Sequence, residues 1–166
     1  DGAVSKALEA IMKGASIVTD TKMASVGVNA QKLSHFGGKV YCFMSDEDVA
    51  IQAKLHASTR ASACMEKALS IREPVIIAVG NAPTALIKLA ELLEAKKFKP
   101  ELIIGVPVGF VNVTESKELI METAAAYDIP FIVARGRKGG SNVAAAICNA
   151  LIYKAKNHTC VDENIQ

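Results

Sequence analysis

No tryptophan occurs in the 166 residues, and aromatic side chains make up only 5% of them. A chain so poor in rings offers no platform on which nucleic-acid bases could stack. The net charge of +2, with both signs interspersed, supplies no basic face for a phosphate backbone, so no nucleic-acid partner is expected. Long apolar runs are missing as well. The longest are strand-sized, so no membrane span is expected. The four cysteines, Cys42, Cys64, Cys148 and Cys160, include no C-x-x-C pair. Three lie within apolar runs and read as reduced, buried thiols of a cytoplasmic protein, and no signal peptide is visible. Neither G-x-G-x-x-G after the first strand nor G-x-x-x-x-G-K-[ST] anywhere is present, which removes the dinucleotide and P-loop readings. H-E-x-x-H and G-x-S-x-G are absent too, so no metal centre or serine nucleophile is expected.

What is present is aliphatic: 51% of the residues are hydrophobic, most of them Ala, Val, Ile and Leu. Five short runs read as strands: "SIVTD" (Ser16–Asp20), "VYCFM" (Val40–Met44), "VIIAVG" (Val75–Gly80), "LIIGV" (Leu102–Val106) and "FIVARG" (Phe131–Gly136). They are continuously apolar rather than alternating, as strands are when both faces of a parallel sheet are covered. Helical segments separate them, at about Thr21–Leu33, Asp46–Leu69, Pro83–Lys97, Val113–Tyr127 and Ser141–Lys156, and Val4–Lys13 precedes the first strand. Alternation of this kind predicts an α/β three-layer sandwich built on a five-stranded parallel sheet, forming one domain over residues 1–166.

Ligands of such sheets bind beyond the carboxyl ends of the strands, so the turns there are the candidates for function. In "GNAPTAL", Gly80 permits a tight turn and Pro83 suits the first position of a helix. The free N–H groups of that turn are equipped to take a carboxylate or phosphate, although a plain strand-to-helix connection has the same composition. In "GVPVGFVNVTESK", Asn112 and Glu115 are spaced as a capping box. That leaves Pro107, Gly109 and Phe110 unexplained. They suit a shaped apolar wall beside a ligand, unless Phe110 folds beneath the loop. "RGRKGGSN" sets Arg135, Arg137 and Lys138 just before a helix N-terminus, where cations are unfavourable without an anion. A solvated basic loop or a packing surface is the alternative. In "HASTRASA", Ser58 or Thr59 can cap a helix, which leaves Arg60 in its first turn, again the wrong end for a cation. Several anion-receiving turns, apolar walls and no nucleophile suit a large polycarboxylate with a flat apolar body.

The motifs "TDTKMASVGV", "GNAPTAL", "GVPVGFVNVTESKE" and "RGRKGGSNVAAAICNAL" together resemble the precorrin-8X methylmutase family, which includes the cobalt-precorrin-8 methylmutases. The resemblance covers Val4 to Tyr153. It implies a flavodoxin-like sheet in the order 2-1-3-4-5, a homodimer, and a cofactor-free isomerase of cobalamin biosynthesis. The implied reaction moves a methyl group from C11 to C12 of precorrin-8X or cobalt-precorrin-8, giving hydrogenobyrinate or cobyrinate. In that strand order the reversal falls between the first and third strands, which brings "DTKM" and "GNAPT" to one crevice. The residues expected to meet the tetrapyrrole are Asp20 and Met23 after the first strand, and Thr59 and Arg60 before a later helix. Gly80, Asn81, Ala82, Pro83 and Thr84 follow from the third strand, Val108, Gly109 and Phe110 from the fourth, and Arg135 and Arg137 from the fifth. The family's catalytic histidine belongs to a segment before Asp1, so the 166 residues are expected to lack it, to bind the ring weakly and to turn it over negligibly. His35, His56 and His158 match no family motif and read as surface histidines, and no catalytic residue is named. A non-catalytic corrinoid-binding or carrier module is the alternative, and a Rossmann-like domain for some other anion is a third reading.

Overall fold

Runs that are apolar on every side can satisfy their backbone only in one another's company. β1 (Ser16–Thr19), β2 (Val40–Tyr41), β3 (Val75–Val79), β4 (Leu102–Gly105) and β5 (Phe131–Val133) form one sheet, parallel throughout, in the order β2-β1-β3-β4-β5. The computed structural model describes residues 2–162, with side chains through residue 157. The helices are α1 (Ala3–Met12), α2 (Lys22–Gly27), α3 (Ala30–Ser34), α4 (Glu47–Leu55), α5 (Arg60–Ala68), α6 (Pro83–Glu94), α7 (Val113–Ala126) and α8 (Ser141–Asp162).

The pleat sorts the strand residues into two cores. Val18, Ile77, Val79 and Ile103 face α4, α5, α6 and α7, while Ile17, Ile76, Ala78 and Ile104 face α1, α3 and α8. Small residues let α8 lie close to the sheet: Ala144, Ala145, Cys148 and Ala155 are all buried there. This is the expected three-layer α/β sandwich with the flavodoxin-like order.

The expected boundaries shift where tertiary contacts outweigh local pattern. Asp20 and Gly80 leave the ladder one residue early because both belong to a turn. β2 pairs with β1 alone and ends at Tyr41. Beyond it Phe43 folds back to stack on Tyr41, with ring centroids 5.7 Å apart. The single helix expected over Asp46–Leu69 is two. Ala57 adopts φ 47°, a left-handed conformation no α-helix can pass through, and Thr59 rather than Ser58 then caps α5. Thr21–Leu33 divides likewise at the extended Val28, after which Asn29 caps α3.

Cys64 and Cys148 are buried and unpaired, and Cys42 is half-buried. Burial pushes the thiols of Cys64 and Cys148 up to about 12, which keeps both as unreactive thiols. Cys160 lies outside the described side chains. Among the described residues no helix is long and apolar enough to cross a membrane.

Leu89 on α6 is fully buried in the first core. Leu89→Ala should therefore cost about 2–5 kcal/mol, read from the denaturant midpoint. A loss under about 1 kcal/mol would mean that this core closes readily around a missing side chain.

Candidate functional site

The strand order reverses between β1 and β3, and at that point one side chain joins the two strand ends. The Asp20 carboxylate accepts the Gly80 N–H on Oδ1 at 2.8 Å, and the Asn81 and Ala82 N–H groups on Oδ2 at 2.8 and 2.7 Å. Burial pushes the Asp20 carboxyl up from the ordinary carboxylate value, against the opposite pull of these three N–H groups. The expectation that this turn holds its amides out for a ligand is thereby corrected. They are filled from inside the molecule, and Asp20 itself is only 1% exposed. Asn81 remains exposed, while Ala82, Pro83 and Thr84 are half-buried around the start of α6.

Other ties draw the neighbouring turns together. Thr59 Oγ1 lies 2.8 Å from Thr84 Oγ1 and accepts the Ser62 N–H at 3.1 Å, which docks the start of α5 beside the β3–α6 turn. Arg60, the first residue of α5, is exposed and makes no ion pair among the described residues. Thr21 caps α2 and its hydroxyl lies 2.7 Å from that of Ser141. A Cβ added to Gly80 would come within 2.7 Å of the Ser141 Cα, so only glycine lets these turns touch. The Gly140 N–H donates to the Val106 carbonyl at 2.9 Å, and a Cβ on Gly139 would collide with that same carbonyl. The turns after β1, β3, β4 and β5 thus form one continuous edge.

On the β4–β5 side of this edge the surface is apolar. Phe110 is 85% exposed and Val111 76%, with Val108 also open, so the ring does not fold beneath its loop. Val108, Gly109, Phe110, Arg137, Lys138 and Gly139 line an open cavity of about 440 Å³. Met23 adds an exposed apolar side chain on α2. The capping box expected at Asn112 is not formed. Asn112 takes a left-handed conformation (φ 55°), its side chain caps nothing, and only its carbonyl joins the helix, by accepting the Ser116 N–H. A capping box needs extended backbone at that residue.

The basic loop exposes Arg135, Arg137 and Lys138. Arg135 approaches Glu118 only at 3.9 Å with both groups solvated, which contributes little, and Arg137 has no ion pair among the described residues. Beneath the loop lies a residue that the sequence reading missed. Lys117 is 0% exposed, and its Nζ donates to the Gly136 and Lys138 carbonyls at 2.7 and 2.9 Å. Desolvation holds its pKa below the ordinary lysine value. A signal existed: Val113, Lys117, Ile120 and Ala124 recur at helical spacing, which places Lys117 on the buried stripe of α7.

His35 and His56 stand apart from these ties. His35 and His56 are exposed at the ends of α3 and α4, the latter bonded to Gln52 at 3.1 Å, and the side chain of His158 lies outside the described residues.

The Asp20 arrangement yields a stability prediction. Asn at position 20 has one acceptor oxygen, so at least one of the three N–H groups would face an NH₂ group. Asp20→Asn should cost about 1–3 kcal/mol, measured by chemical denaturation. An unchanged midpoint would show that the carboxylate does not hold the turn.

Comparison with known proteins follows the same residues. The profile of the precorrin-8X methylmutase family matches residues 1–154. A cobalt-precorrin-8 methylmutase of Leptospira interrogans is 46% identical over 154 residues, covering 90% of this chain and 70% of that protein. The cobalt-precorrin-8 methylmutase of Priestia megaterium is 44% identical, covering 90% of this chain and 64% of its own length. A precorrin-8X methylmutase of Pseudomonas aeruginosa is 39% identical, covering 90% of this chain and 71% of its own length. The solved precorrin-8X methylmutase of Thermus thermophilus superposes with a TM-score of 0.82 at 39% identity, covering 95% of this chain and 75% of that one. The chain therefore spans about two thirds of its curated relatives, and the match favours an isomerase of cobalamin biosynthesis over a carrier module. With its strand order, its interlocked turns and its sequence all in agreement, the chain belongs to the precorrin-8X methylmutase family.

Proposed function

We propose that the carboxyl edge of the sheet seats the flat, carboxylate-fringed ring of a corrin precursor. Phe110, Val108 and Val111 lie against its apolar face, and Arg60, Arg135 and Arg137 meet its peripheral carboxylates. The observation that carries this reading is an exposed apolar patch beside guanidinium groups that have no close partner among the described residues. An exposed apolar patch rimmed by polar groups marks a ligand-binding groove or an interaction surface. Cations at the N-terminal ends of α5 and α8 are unfavourable until an anion joins them.

The reaction is an intramolecular methyl migration from C11 to C12 of the macrocycle, in precorrin-8X or its cobalt form. It conserves atoms and electrons, so the protein's part is to bind, orient and exclude water. Gripping the carboxylates fixes the ring over the apolar wall and limits it to one conformation. Protonating a ring nitrogen would draw electron density from the migration path and needs a group titrating near neutral pH. The arginines stay protonated and Asp20 is committed to its turn, so no residue of this edge is assigned as the acid.

A homodimer is part of the same reading, supported by the exposed Met23 and Val26 on α2, the kind of surface that subunit contacts cover. The free buried thiols of Cys64 and Cys148 suit the reducing cytoplasm.

Titration with hydrogenobyrinic acid, followed by corrin absorbance, should show saturable binding. Arg60→Ala should weaken it roughly ten- to a hundredfold without unfolding the protein, the cost of removing a charged partner from a half-buried carboxylate. Phe110→Ala should weaken it too with little effect on stability, because the residue is 85% exposed. Absence of saturable binding would overturn the assignment, and an Arg60→Ala protein that unfolds with its affinity intact would make Arg60 structural.

A further inference from the structure

The buried lysine beneath the basic loop has no carboxylate partner among the described residues, and this is costly for a fold to keep. Leu or Met would fill the same place on the apolar stripe of α7 without the desolvation penalty of an ammonium group. The Lys117 Nζ instead donates to two carbonyls of one loop, Gly136 and Lys138. We propose that Lys117 is a positioning residue: it holds the loop over residues 135–140 in the one shape that presents Arg135 and Arg137 to a polycarboxylate ligand.

Three observations support this. Drawing the carbonyls of residues 136 and 138 inward leaves Arg135, Arg137 and Lys138 exposed while Gly140 is buried. The far side of the loop is pinned independently, by the Gly140 N–H on the Val106 carbonyl and by Gly139 pressed against it. The loop itself carries Gly136, at φ 75°, together with Gly139 and Gly140, and such a segment has many conformations to lose when it orders. Lys117 removes that freedom before a ligand arrives, which lowers the cost of binding. Its ammonium also adds positive field beneath three exposed cations that repel one another until an anion joins them. Lys117 thus acts through Arg135 and Arg137 and does not touch the ligand.

The inference rests on the proposed tetrapyrrole site, and the test separates the two. Wild type, Lys117→Met and the core variant Leu89→Ala are titrated with hydrogenobyrinic acid at several salt concentrations. Amide hydrogen exchange is followed over residues 135–140. Lys117→Met should bind about tenfold more weakly per folded molecule, with a flatter dependence on salt and faster exchange in the loop. Leu89→Ala, destabilised elsewhere, should keep the wild-type affinity and salt dependence. Should Lys117→Met fail to fold, Lys117→Gln, which keeps a donor for one carbonyl, takes its place with the same expected direction. A wild type that binds, with a Lys117 variant matching it in affinity and salt dependence, overturns the inference alone. A wild type that does not bind overturns the reading of the site and this inference with it.

Discussion

The three N–H groups that converge on Asp20 set the geometry from which the rest of the carboxyl edge follows. Where a parallel sheet reverses its strand order, the crossovers diverge to opposite faces and the ends of the two central strands stand open. Here that opening is filled by a carboxylate from the end of β1, gripped by the turn that follows β3. The contact joins strands whose ends would otherwise be free to splay. It fixes the turn from which α6 starts at Pro83, and through Thr84 it sets where the cap of α5 can dock. At the ends of β4 and β5 on the same edge lies the open cavity lined by Val108, Phe110 and Arg137.

Away from that edge the molecule is conventional. Aliphatic side chains of three sizes fill both cores, and the caps of α2, α3 and α5 are ordinary Thr and Asn caps. Several unfavourable features lie along one side: Phe110 and Val111 in water, Arg60 and Arg137 without an ion-pair partner among the described residues, Asn112 in a left-handed turn and a lysine sealed under a loop. Each costs stability by itself. Exposed Val26 and Leu55 and left-handed Lys96 and Asp128 show that such features also occur elsewhere; what marks this side is that apolar and cationic groups occur there together.

Those features divide into two kinds. The apolar patch and the arginines are what a ligand would meet. Asp20 and Lys117 are buried and face backbone: one is an anion that organises N–H groups, the other a cation that organises carbonyls. Backbone polar groups of a turn must be satisfied by something, and a charged side chain satisfies several at once with short, directional bonds. Two oppositely charged internal clamps therefore hold turns of the same sheet edge.

The strands were legible because a continuous apolar run of five residues has few other uses, and their alternation with helices dictated a parallel sheet. Thr59, Arg60, Phe110 and the arginines of the basic loop were legible as oddities against cap and dipole rules. Their assembly was not, since Thr59 and Thr84 lie 25 positions apart and meet only once α5 docks on α6. The cap signal at Ser58 and Thr59 marked a helix start that the single segment Asp46–Leu69 passed over, whereas nothing local marked the break at Val28. Asp20 read as a ligand contact from its place at a strand end; its bonds to three N–H groups were not legible, because those groups come from a turn 60 residues away. Lys117 carried a helical-spacing signal, yet only the fold places two carbonyls over it. Local sequence by itself determined which segments become strands and helices, because periodicity and composition act over a few residues. The tertiary structure alone decided which charged groups face solvent and which face the backbone, because that depends on partners the chain brings from afar.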